Sequence, residues 1–144
     1  MENCNIVEQL PTPAQYNALR QTVGWGIYEE AVIERALPNT LYCVCAFVEE
    51  NIVGMARVIG DGGLVYYIQD VIVLPEYQRQ GIGRQMMARV MDYIRAHASH
   101  NTIIGLMAAH GKERFYESYG FTQRPSTHFG AGMTMFWQDK KEDI

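Results

Sequence analysis

Three apolar runs, residues 41–49, 52–59 and 64–74, follow one another with only short polar breaks. The first is apolar on both faces. Glu50-Asn51 and Gly60-Asp61-Gly62-Gly63 have the composition of turns. No link between the runs is long enough for a crossover, so an antiparallel meander is predicted. After Pro75 the period lengthens to that of a helix. Met86, Val90, Tyr93 and Ile94 recur at helical spacing, and Met87 and Met91 widen the stripe. This helix is predicted from Gly81 or Gly83 to His97, with its methionines as core filling. A strand over 102–107 then lies parallel to its predecessor through a right-handed crossover.

Outside this centre the pattern is shorter. Residues 6–10 suggest a first strand, which Pro11-Thr12-Pro13 breaks. A helix over 14–22 places Tyr16, Leu19 and Val23 on one side. A second, over 29–37, is predicted to bury Val32, Ile33, Ala36 and Leu37. A short helix over 113–119 ends at Gly120, a suitable C-cap. Residues 121–123 and 133–138 read as two last strands, joined by a loop rich in Pro, Ser, Thr and Gly. The order implies an α/β (α+β) fold: one domain over residues 1–144, with a mixed central sheet flanked by helices.

Composition narrows the partners. The chain has 144 residues, 48% of them apolar, and a net charge of −4. One core of ordinary domain size fits that length. A broad nucleic-acid surface does not fit that charge. No run reaches the roughly 18–20 apolar residues of a membrane span. The opening MENCNIVEQL has neither a basic start nor a long apolar stretch, so no secretory leader is expected. Cys43 and Cys45 sit two apart on one strand face and read as buried small residues; no further ligands for a metal stand nearby. With Cys4 they make no disulfide framework, and a cytoplasmic setting is expected.

The strand over 64–74 leads into Gln78-Arg79-Gln80-Gly81-Ile82-Gly83-Arg84. Glycine lets the backbone approach a ligand closely and take unusual dihedrals. The first turn of a helix offers unpaired N–H groups, and its dipole favours an anion. Arg79 and Arg84 add charge at the rim. The pattern is neither a dinucleotide fingerprint, since Met86 holds the third glycine's place, nor a P-loop, since no GK[ST] follows. An anion site and a plain tight turn with good helix packing both remain open from these residues alone.

Gln78-Arg79-Gln80-Gly81-Ile82-Gly83 resembles the Q/R-x-x-G-x-G/A signature of the GCN5-related N-acetyltransferases. The likeness continues through VIVLPEYQ before it and FYESYGF after it, and the order of elements agrees over almost the whole chain. The resemblance implies acyl transfer, usually of acetyl, from a coenzyme A thioester to an amine. It implies that the N–H groups from Gln80 to Arg84 hold the cofactor's pyrophosphate. It implies too that Val71-Ile72-Val73 offers backbone groups to the pantetheine arm. In that family this strand carries a bulge and splays from its parallel neighbour.

Direct attack on a thioester needs a deprotonated amine, a polarised carbonyl and a proton for the leaving thiolate. By the resemblance, Tyr116 is the proton donor to sulfur; lining the slot is its simpler alternative. Many relatives have an asparagine where this chain has Ala109, with His110 beside it. Asp70 is an acid in an otherwise apolar strand. It either meets the substrate ammonium, directly or through water, or it satisfies backbone groups or an arginine. Glu29 stands at a helix start or at a substrate mouth. By the resemblance the early helices form the acceptor site, where Trp25 and Tyr28 supply an aromatic wall or anchor the helices. Tyr67 is a further acceptor-facing candidate. His128 is either substrate-facing or merely exposed.

The resemblance, taken with these residues, implies an acetyl-CoA-dependent transferase acting on a primary amine of a small molecule. A peptide or protein amine, or a non-catalytic acyl-CoA-binding module, is the alternative. An apolar last strand also suggests a homodimer.

Overall fold

Thr12 starts the first helix, four residues past the end of the first strand at Glu8. Its hydroxyl accepts from the Gln15 N–H and the Gln15 side chain accepts from the Thr12 N–H, with Pro13 in the first turn. The strand has ended before Pro11-Thr12-Pro13, as predicted, and Pro13 is the first residue of the helix, one before the predicted start. The computed structural model describes residues 3–139. The chain divides into two compact units, Met1–Leu106 and Met107–Ile144.

In the first unit the elements are β1 (Cys4–Glu8), α1 (Pro13–Thr22), α2 (Glu30–Ala36), β2 (Tyr42–Val48), β3 (Asn51–Gly60), β4 (Val65–Val73), α3 (Ile82–His97) and β5 (Ile103–Leu106). A 3₁₀ turn, Leu37–Asn39, carries α2 on past Pro38. The five strands stand in the order β1-β2-β3-β4-β5. β1 to β4 are successively antiparallel, so the meander has one strand more than predicted. β5 is parallel to β4, as α3 between them permits. Val48 pairs with Asn51, which places the hairpin turn at Glu49-Glu50, one residue before the predicted position.

Alternation divides the sheet residues between two faces. Cys43, Cys45, Met55 and Ile72 join Tyr16 and Leu19 of α1, Ile33 of α2 and Leu37 in one core cluster. Both buried cysteines thus serve packing. On the opposite face α3 packs against β2, β3 and β4, burying Met86, Met87, Val90 and Ile94. Gly54 keeps this layer tight: a Cβ there would lie 2.8 Å from the Ile72 carbonyl oxygen and 3.1 Å from Met86 Cε. Val32 is only half-buried and Ala36 is exposed, contrary to the predicted burial of α2. Among the described residues no helix is long and apolar enough to cross a membrane.

The second unit holds α4 (Glu113–Glu117). Its N–H groups at Tyr119 and Gly120 close the helix end, with Gly120 at φ 99°. Residues 121–123 and 133–138, predicted as strands, are not strands. An apolar run forms a strand only when another strand takes its hydrogen bonds.

Candidate active site

β4 carries an extra residue. Met55 pairs with Ile72 and Arg57 with Gln69, so two steps on β3 span three on β4. Asp70 takes up the difference with φ 56°. Without this bulge Ile68, Asp70 and Ile72 would share one face of the sheet. With it, Ile68 stays on the α3 face while Ile72 joins the core under α1 and α2.

The bulge places the Asp70 carboxylate in a closed cluster. Oδ1 meets Arg20 Nη1 at 3.1 Å, and Oδ2 meets Arg57 Nε at 2.8 Å. The Tyr16 hydroxyl donates to Oδ2 at 2.7 Å. The Asp70 side chain is 0% exposed. Burial, then the carboxylate beside it, pushes the Tyr16 phenol up, so it stays a donor. Of the two roles open to Asp70 in the sequence, the arginine-pairing one is what the geometry displays. Both oxygens are taken, and none is presented to a substrate ammonium. Two guanidiniums meet one carboxylate here, so the cluster keeps one positive charge.

β4 outruns β5, which ends at Leu106 before the level of the bulge. Their ladder ends at Ile68 and Leu106, while β4 runs on to Val73. The Leu74 N–H bonds to the Val53 carbonyl at 2.8 Å on the β3 side. By alternation, Val71 and Val73 turn their backbone groups the other way, to the edge of β4 beyond its ladder with β5. Gln78 closes the following turn by donating from Nε2 to the Val73 carbonyl at 2.9 Å. Arg79 takes φ 65° and Gly81 φ 85°. Gly81 is the N-cap of α3, and no side chain caps that helix. A Cβ on Gly81 would meet nothing within 4 Å, so space stands open in front of the first turn. Gln80, Ile82, Gly83 and Arg84 continue this segment, with Ile82 buried as the helix's anchor. An uncapped helix start in open space suits a phosphate.

Beside the Asp70 cluster lies a pocket of about 210 Å³. Val32, Ile33, Ala36 and Leu37 make its aliphatic wall. Tyr16 and Tyr28 line it too, and Arg57 with its cross-strand partner Gln69 closes the sheet end. Tyr28 therefore reaches the pocket as well as Arg20, whose guanidinium carbon lies 4.8 Å from its ring centre. Trp25 packs on the core and lies 5.5 Å from the same guanidinium, so its contacts are those of an anchor. Arg20 Nε also binds the Gly26 carbonyl at 2.7 Å, tying this loop to α1. Glu29 is the exposed N-cap residue of α2 and makes no side-chain cap bond. Tyr67 pairs with Gly105 and Ile59, away from the pocket lining.

Tyr16, Arg20, Arg57 and Gln69 were not singled out by sequence reasoning. A signal existed for the two arginines: each is a charge on an otherwise apolar face, the same clue that marked Asp70. In the second unit Tyr116 is buried, with Phe115 and Phe121 edge-on to its ring. Burial pushes its phenol up to about 12. His110 and His128 are exposed.

A family model described as the acetyltransferase (GNAT) domain matches residues 13–138. An uncharacterized N-acetyltransferase, ycf52, of Gracilaria tenuistipitata var. liui is 31% identical over 123 residues, covering 83% of this chain and 64% of that protein. The chain thus spans just under two thirds of that relative's length. A probable acetyltransferase from meticillin-resistant Staphylococcus aureus superposes with a TM-score of 0.86 at 32% identity, covering 94% of this chain and 100% of that one. A GNAT family protein from Streptococcus pneumoniae follows at 0.77 and 31%, covering 95% and 100%.

Proposed function

Since the chain belongs to the GNAT family of acetyltransferase domains, we propose that it moves an acetyl group from acetyl-CoA to a primary amine of a small molecule. One observation carries this reading: the bulged β4 runs on past the end of its ladder with β5 and leads, through a turn, to the uncapped, glycine-led start of α3. Strand, turn and helix start supply in sequence what an extended thiol arm ending in a pyrophosphate requires. Acetyl-CoA brings an activated thioester to that place.

The residues divide the work. Backbone groups of Val71 and Val73, with Ile72 fixing the strand to the core, hold the arm. The segment Gln78-Arg79-Gln80-Gly81-Ile82-Gly83-Arg84 holds the phosphates. The acceptor nitrogen forms a bond to the acetyl carbon as the carbon–sulfur bond breaks. Tyr116 gives its proton to the leaving sulfur, the nitrogen releases one to water, and the phenol is reprotonated from solvent. The high position of the Tyr116 phenol suits this role, since it holds its proton at neutral pH. Asp70 acts as a positioning residue, because its oxygens are already bonded. The excess positive charge beside the pocket favours the neutral amine over the ammonium. That bias takes the place of a dedicated base.

The pocket favours a small acceptor, as about 210 Å³ is below the roughly 300–1,000 Å³ of drug-sized ligand sites. The test is release of free thiol from acetyl-CoA across a panel of small amines, peptides and a no-acceptor blank. Acceptor-dependent release with a small amine is the expected result. Release with peptides alone would discard the small-molecule reading, and tight acetyl-CoA binding without transfer would leave a binding module.

A further inference from the structure

The end of the pocket at the sheet is cationic, and its walls are aliphatic. Arg57 uses Nε on Asp70 at 2.8 Å and Nη1 on the Thr40 hydroxyl at 3.1 Å. Neither bond uses Nη2. No buried side-chain nitrogen or oxygen among the described residues lacks a partner. Arg57 lines the pocket, and its guanidinium also meets the Tyr16 side chain, which lines the pocket beside it. Among the described residues, the ion pairs of Arg20 and Arg57 both end on Asp70. One carboxylate cannot neutralise both. A half-desolvated guanidinium in excess of its carboxylate, at the wall of a pocket, is a place where a second carboxylate is stabilised.

The position fixes where that carboxylate sits in an acceptor. Arg57 is directly opposite Gln69, the residue before the bulge, and Val71 follows one residue after Asp70. The cationic end therefore lies next to the backbone assigned above to the thioester arm. The Gln69 amide nitrogen is 3.5 Å from Asp70 Oδ1, which leaves its oxygen as an acceptor for an N–H. Donor and acceptor stand side by side at the reacting end. Val32, Ile33, Ala36 and Leu37 supply an uncharged wall of the same pocket.

We infer that the acceptor is an α-amino acid with an aliphatic side chain: its carboxylate is held by Arg57, its amine is beside Gln69, and its side chain lies against α2. This inference rests on the transferase reading for the reaction but not for the binding. The experiment compares three probes of one shape on the wild-type chain: L-leucine, L-leucinamide and 3-methylbutylamine. In acetyl-CoA turnover, L-leucine is expected to lead both analogues by about 100-fold in kcat/KM. Arg57→Lys, which keeps the charge but loses the fork, should narrow that gap more than tenfold, read as the ratio of L-leucine to its analogues within the one variant so that any general loss of activity cancels. Equal or better turnover of either analogue would overturn the inference and leave the acetyltransferase reading standing. If no probe is acetylated, calorimetric titration without acetyl-CoA decides. L-leucine binding that vanishes for L-leucinamide and weakens in Arg57→Lys would uphold the carboxylate site while the transfer reading fails. No L-leucine binding, or L-leucinamide binding as well, would sink it.

Discussion

Asp70 combines a left-handed backbone, φ 56°, with a side chain shut off from water. Non-glycine residues take that conformation at a cost, and here the bonds to Arg20, Arg57 and Tyr16 offset it. Asp70→Asn removes the charge and leaves two guanidiniums facing each other. A loss of about 3–5 kcal/mol is expected, read as a lower urea midpoint with an unchanged slope. A loss under 1 kcal/mol would mean that the cluster is not what holds the bulge. Tyr116 is a different case, because its phenol is expected to act only in the reaction. Tyr116→Phe should reduce kcat about 100-fold with acetyl-CoA affinity retained. The phenol position near 12 also sets a sign: the protonated donor persists up to that pH, so Tyr116 contributes no falling limb to kcat between pH 6 and 10. A wild-type fall within that range that is absent in the phenylalanine variant would contradict the assignment. In the sequence Asp70 was visible as an oddity, but its role was not. Its partners lie 50, 54 and 13 positions away, and no local spacing encodes such a meeting.

The regular elements were readable wherever burial imposed a period. The stripe of α3 and the runs of β2, β3 and β4 stand within a residue or so of their predicted places. The bulge was implied by the family resemblance but not by the residue pattern, because one extra residue in an apolar strand alters pairing without altering composition. The last two predicted strands failed for a related reason: apolar character was present, but a pairing strand was not. The start of α3 joined legible chemistry to legible position. Gly81 sits at φ 85° with open space where a side chain would go. Gly81→Ala therefore meets no clash, and its stability cost is conformational, roughly 1–2 kcal/mol. The larger expected effect is on cofactor binding, since a methyl group would occupy the space in front of the helix N–H groups. KM for acetyl-CoA should rise at least tenfold while thermal unfolding shifts by only a few degrees. Unchanged KM would remove this helix start from the phosphate site.

For the molecule as a whole, the unsettled surface is the apolar stretch near its end. Met133, Met135, Phe136 and Trp137 are each more than three-quarters exposed. Isolated exposed apolar residues are ordinary, but four within five positions form a patch that usually has a partner. Every copy of the chain presents the same patch, so two copies would cover it on each other, and a two-fold dimer would close without leaving a free end. The dimer suggested by the sequence from a last strand is thus kept as an expectation, resting on exposure instead of on strand pairing. Light scattering at micromolar concentration should give twice the chain mass of 16.4 kDa. Phe136→Asp combined with Trp137→Asp should return that mass to a single chain with little loss of thermal stability, because neither side chain is buried in the isolated chain. A wild-type mass of one chain would reject the dimer. A double variant that stays dimeric would move the interface elsewhere, and the stretch would then need another partner.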